Sequence, residues 1–171
     1  MRDKLRRRYQ AQKEVARNGY FEGEITISEL ERLDDLLYHG TSGGEGSIFV
    51  RFEFVRNELG AAKLVGHLSG SLELECQRCL KAMSMPLQQD FELLIDADDG
   101  LVRDSGTDTI FSEDGYIDIY SVIEDELILA IPLVALHEDS DCNEHWPVAA
   151  QADGETRQNP FAVLRQLKTT D

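Results

Sequence analysis

Between Ser47 and Ile95 the apolar residues fall on alternate positions, and this period of two constrains the chain more than any other feature. Ile48, Val50, Phe52 and Phe54 share one side of the first run, with Arg51 and Glu53 on the other. Only an extended backbone sends successive side chains to opposite faces, so the run predicts a half-buried strand. Asn57-Glu58-Leu59-Gly60 then supplies turn chemistry, and a second run places Leu64, Gly66, Leu68, Gly70, Leu72 and Leu74 on one side. An antiparallel hairpin is the simplest outcome. A third run, Met83 to Ile95, carries Phe91, Leu93 and Ile95 in alternation, and Pro86, with no N–H for a ladder, limits it to an edge or a bend.

Outside these strands the pattern is helical or absent. Residues 2 to 17 lack Gly and Pro and are rich in helix formers, which predicts a helix closed by Gly19. Ser28 and Glu31 have capping-box spacing, and Leu30, Leu33, Leu36 and Leu37 recur at helical intervals, predicting a short helix from about Ser28 to Tyr38. The glycine-rich stretch Thr41 to Gly46 reads as a loop. A long surface loop is also predicted over residues 96 to 114, where Asp96, Asp98, Asp99, Asp104, Asp108, Glu113 and Asp114 accompany a single base. Asp118 is placed to cap a central helix with Ile119, Val122, Ile123, Leu127 and Ala130 as its stripe and Glu124, Asp125 and Glu126 turned away; Pro132 stops it. Residues 137 to 158 resemble a linker or a loosely packed cover. Asn159-Pro160 then opens a short helix whose face of Phe161, Val163, Leu164 and Leu167 suits docking. The fold class is α+β, an antiparallel sheet or partly closed barrel flanked by N-terminal, central and C-terminal helices in one domain over residues 1 to 171.

The longest apolar run, Leu127 to Leu136, contains Pro132 and is far shorter than the roughly 20 residues of a membrane span. The arginine-rich start has no apolar stretch after it, so no secretory signal is read there, and three cysteines cannot all pair within one chain. A reducing cytoplasm is the expected compartment. The net charge of −16 makes the surface as a whole repel phosphate backbones, which disfavours a general nucleic-acid clamp. Yet residues 1 to 17 hold Arg2, Lys4, Arg6, Arg7, Arg8, Lys13 and Arg17 against Asp3 and Glu14, a net +5 that leaves −21 for the rest. A basic arm of this kind, residues 1 to 18, is either an RNA contact on an acidic body or a solvated, partly helical start.

Cys76-Gln77-Arg78-Cys79 falls at the corner between the second and third runs. A tight turn there brings two sulfurs to one side, where they can share a metal ion. His137, Cys142 and His145 are the further ligands within the chain; Cys142 and His145 repeat the two-residue interval after a gap of 62 residues and would complete a Cys3His zinc site. Two cysteines packed at a strand end, with solvated histidines, are the alternative. A thioredoxin-like role fits less well, because such pairs sit at a helix start where the dipole lowers a thiol pKa. No Gly-x-Ser-x-Gly, His-Glu-x-x-His, phosphate-cradling loop or Rossmann fingerprint occurs, and nothing selects a general acid among the many carboxylates.

The segment Leu72 to Leu80, with Cys76-Gln77-Arg78-Cys79 inside it, resembles the signature corner of the YceD (DUF177) family. Ile123 to Pro132 followed by His137 and Cys142 is similar to that family's second block, and Asn159-Pro160-Phe161-Ala162-Val163-Leu164 resembles its C-terminal motif. The resemblance implies a non-catalytic role in accumulation of large-subunit ribosomal RNA, with a precursor RNA or a basic ribosomal or assembly protein as partner. Arg78, Phe161 and Leu164 join the arm residues as expected contacts. Some family members carry a Cys-Pro-x-Cys-Gly pattern near the C-terminus; here Cys142 and nearby histidines stand in its place. A zinc- or thiol-dependent RNA-processing enzyme, and an acidic adaptor unrelated to ribosomes, are the competing expectations.

Overall fold

The alternation in the middle of the chain becomes three long strands of one sheet. The computed structural model describes residues 5–38, 46–58, 60–96 and 108–143. In chain order the elements are β1 (Arg8–Gln10), α1 (Ala11–Ala16), β2 (Tyr20–Thr26), a 3-10 turn (Ile27–Glu29), α2 (Glu31–Asp34), β3 (Ser47–Arg56), β4 (Ala62–Glu75), β5 (Ala82–Asp96), β6 (Thr109–Phe111), β7 (Tyr116–Asp118) and α3 (Ile119–Ala130). The main sheet has the order β2-β3-β4-β5-β6, antiparallel except for the short parallel pairing of β5 with β6, while β1 and β7 form a separate antiparallel pair. The class is thus α+β, but β2 and β6 end the sheet without meeting, so the partly closed barrel does not form.

Strand faces follow the sequence pattern closely. Ile48, Val50, Phe52 and Phe54 on β3, with Leu64, Leu68, Leu72 and Leu74 on β4, are all buried and share one core with Ile119, Val122, Ile123 and Leu127 of α3. Asp118 caps α3 by accepting from the Ser121 N–H at 3.2 Å. Pro86 pairs with Ser71, in a part of β5 that β6 does not reach; its missing donor therefore lies on an open side among the described residues.

Several local expectations give way to tertiary packing. The N-terminal helix is short, because Arg8–Gln10 is drawn into pairing with Tyr116–Asp118 and only Ala11–Ala16 winds. Residues 20–26, between the two N-terminal helical segments, form an edge strand along β3. The capping box belongs to Thr26 and Glu29, not Ser28 and Glu31, and the leucine repeat is split between two short turns that leave Leu36 exposed while Leu30, Leu33 and Leu37 are buried. Within the acidic stretch, Asp96 ends β5 and residues 109–111 form β6. Glu124, expected to be solvated, is buried: its carboxylate accepts from the Arg32 N–H at 2.7 Å, the Leu33 N–H at 3.3 Å and Arg32 Nε at 2.8 Å. The C-terminal helix with Phe161 and Leu164, and also Arg2 and His145, lie outside the described residues.

Gly66 is a position where the sheet admits no side chain. It pairs with Phe91 across the β4–β5 ladder, and a β-carbon there would stand 2.2 Å from Phe91 Cζ. The ring itself is buried, so it has no free direction of retreat. Gly66→Ala is expected to destabilise by about 1–3 kcal/mol, as overpacked cores generally do, read as a lower urea midpoint at unchanged slope. An unchanged midpoint would mean that the ring moves aside freely.

Candidate metal centre at the hairpin tip

The β4–β5 ladder runs unbroken from Lys63 to Glu75, and its tip is the turn that holds the two spaced cysteines. Leu80 N–H donates to the Cys76 carbonyl at 2.8 Å and Cys76 N–H to the Lys81 carbonyl at 3.0 Å. Leu80 adopts φ 57°, the left-handed conformation needed to bring the chain back into β5. The turn is stitched to the segment after α3 by Gln77, whose N–H donates to the Ala135 carbonyl at 2.8 Å and whose Nε2 donates to the Leu133 carbonyl at 3.1 Å. This stitching delivers His137 and Cys142 to the tip.

Cys76, Cys79, His137 and Cys142 form a four-residue cluster whose ligand atoms all lie within 4.8 Å of one another, a group that could hold a metal ion. The Cys76 and Cys142 sulfurs are 4.0 Å apart, and Cys79 Sγ is 3.4 Å from His137 Nδ1. The other imidazole nitrogen, Nε2, lies 3.1 Å from the Ala82 carbonyl. That carbonyl can only accept, so Nε2 carries the proton and Nδ1 presents its lone pair to the sulfurs. Arg78 turns inward, donating from one guanidinium nitrogen to the Asp139 carbonyl at 2.7 Å and to Cys142 Sγ at 3.6 Å.

Electrostatics prepare one of the thiols. Burial pushes the Cys76 thiol up, but the backbone N–H groups of His137, Cys79 and Arg78 aimed at its sulfur outweigh this and bring it from 9.0 down to about 5. Cys76 is therefore a thiolate at neutral pH. Cys142 is shifted upward, first by burial and then by hydrogen bonding to the Cys79 and Cys76 sulfurs. Among the described residues no other group of three or more potential ligands comes together.

The arm residues lie elsewhere and are partly matched by acids of the same chain. Arg6 and Arg17 both face the buried carboxylate of Glu14, and Arg7 Nε donates to Asp118 at 2.9 Å. Arg8 lies over the Tyr116 ring at 5.1 Å, and Lys13 is exposed on α1. Sequence inspection had no means of finding the Ala82 carbonyl or the inward turn of Arg78, because both contacts depend on where residues 131–143 return to the sheet.

An open α+β sheet whose long hairpin ends in a thiol and imidazole knuckle defines a small knuckle-bearing protein, with no helix among the described residues long and apolar enough to cross a membrane. The chain belongs to the YceD family: the family described as large ribosomal RNA subunit accumulation protein YceD matches residues 64–168, a span that contains all four clustered ligands. It is also similar to the Large ribosomal RNA subunit accumulation protein YceD of Haemophilus influenzae, at 30% identity over 169 residues and 91% of each chain. No solved structure matches it.

Proposed function

We propose that this chain is a non-catalytic cytoplasmic factor that supports accumulation of large-subunit ribosomal RNA by binding a precursor RNA, a basic ribosomal protein or another assembly factor. The observation that carries this reading is family membership, with a relative of that printed role aligned over 91% of both chains. The charge distribution agrees with it. Most of the molecule, at −21 outside the first 17 residues, suits a basic protein surface, and the exposed arm cations Arg6, Arg7, Arg8, Lys13 and Arg17 suit an RNA at one end. The hairpin-tip cluster, which could hold a metal ion, enters as a structural element: around a zinc ion its four protein donors would complete the shell and leave no position for a substrate.

Depletion of the protein is expected to lower mature large-subunit ribosomal RNA relative to small-subunit RNA, read as a deficit of free large subunits on a sucrose gradient and restored by the intact chain. Normal subunit ratios after depletion would reject the reading. Incubation of the purified protein with precursor RNA, with and without chelator, is expected to give no turnover; cleavage abolished by chelator would favour a metal-dependent processing enzyme instead.

A further inference from the structure

We infer that Cys76, Cys79, His137 and Cys142 bind one zinc ion in a closed tetrahedral site, that His137 ligates through Nδ1, and that Arg78 serves as the counter-charge of this site instead of contacting RNA. The inference goes beyond the ribosomal reading and does not depend on it.

The distances fit the ion. With zinc–sulfur bonds of about 2.3 Å and zinc–nitrogen bonds of about 2.0–2.1 Å, a tetrahedron places sulfurs about 3.8 Å apart and sulfur and nitrogen about 3.6 Å apart. Two of the observed separations, 4.0 Å and 3.4 Å, lie close to these values, and all four ligand atoms fall within 4.8 Å of one another, so a small inward shift closes the shell. Three thiolates with one imidazole form a soft donor set that selects zinc over magnesium, calcium or manganese, which take oxygen. The imidazole tautomer is already set by the hydrogen bond from Nε2 to the Ala82 carbonyl, the kind of outer partner that orients a metal-bound histidine. His137 completes the set without His145, so the formal Cys-x-x-His pair of the sequence is not needed.

Charge explains Arg78. Three thiolates and a neutral imidazole around a dication leave one excess negative charge in a partly buried place, where Cys76 is fully buried and the other ligands are half-buried. The Arg78 guanidinium lies on the Cys142 sulfur and is held there by the Asp139 carbonyl, so it offsets that charge and fastens the loop bearing Cys142. Arg78 is thereby a positioning residue, and its guanidinium is engaged away from any external phosphate.

Elemental analysis of the full chain, purified without added zinc, is expected to give one equivalent of zinc. Cobalt(II) substitution should give the intense d–d bands and thiolate charge transfer of a tetrahedral site. Cys79→Ser and His137→Ala should each retain less than about a tenth of an equivalent, as expected once a tight structural site loses a ligand. His145→Ala should retain the full equivalent. Arg78→Gln should keep the stoichiometry but weaken zinc in chelator competition by about 10–100-fold, with Arg78→Lys recovering part of the loss, a range typical of outer-shell partners. Less than about a tenth of an equivalent in the wild type together with an octahedral cobalt spectrum would overturn the site, and that spectrum is read on the intact chain whether or not the variants fold. Iron or copper in place of zinc would overturn the ion. Loss of metal in His145→Ala but not in His137→Ala would overturn the fourth ligand. Unchanged chelator competition in Arg78→Gln would overturn the counter-charge.

Discussion

Phe52→Ala is expected to lower stability by about 3–5 kcal/mol, the usual cost of removing a buried aromatic ring. For a chain of 171 residues, at about 2–4 °C per kcal/mol, that corresponds to a fall in Tm of roughly 6–20 °C. The ring belongs to a cluster of four in which every ring meets the other three: Tyr9 meets it edge-on at 5.4 Å, Phe21 stacks at 5.3 Å and Phe54 lies at 5.9 Å. These contacts join three separate segments, because Tyr9 is in β1, Phe21 in β2 and the other two in β3. The loss should therefore be felt first where Tyr9 holds β1 to the sheet, and limited proteolysis should cut the first 17 residues faster. Phe52→Leu keeps most of the volume and should cost less than about 1.5 kcal/mol. Equal Tm values for Phe52→Ala and the wild type would show that the cluster does not hold the three segments together.

Glu124→Ala is the second large effect, at about 2–4 kcal/mol, because it strips the acceptor from two backbone donors at the start of α2 and from Arg32 Nε. Arg32 retains Asp125 at 2.8 Å, so the cost comes mainly from the part-buried N–H of Arg32 and the buried N–H of Leu33. Glu124→Gln preserves an oxygen toward those groups and should lose only about 1 kcal/mol, the part owed to charge. Chemical denaturation of both variants checks this; equal losses would place the whole effect in the ion pair.

The sheet was legible because burial and period coincide: each inward residue of β3 and most of β4 could be named from alternation, and the Asp118 cap from its place before an apolar stripe. β2 was harder. Its alternation of Phe21, Gly23 and Ile25 is short and contains a glycine, so only pairing with β3 reveals it. Arg8–Gln10 has helix-forming residue types on both sides in sequence, and what makes it a strand is β7, more than 100 residues away. Glu124 misleads for a related reason: in a row of three acids nothing marks the one that a distant helix start will bury. In the cluster, Cys76 and Cys79 declared themselves by spacing. That His137 joins them depends on the return of the chain after α3, for which periodicity carries no information.

The reach of β4 and β5 past β3, whose pairing with β4 ends at Ser69, has a bearing on how the knuckle is supported. The rungs from Lys63 to Ser69 are flanked by β3, whereas those from Gly70 to Glu75 run beyond it and are held by Leu72 and Leu74 in the core and by the Tyr38 N–H on the Glu73 carbonyl. The knuckle is thus tied to the body by side chains and by the segment after α3, so a lesion at the tip should leave the rungs between β3 and β4 in place.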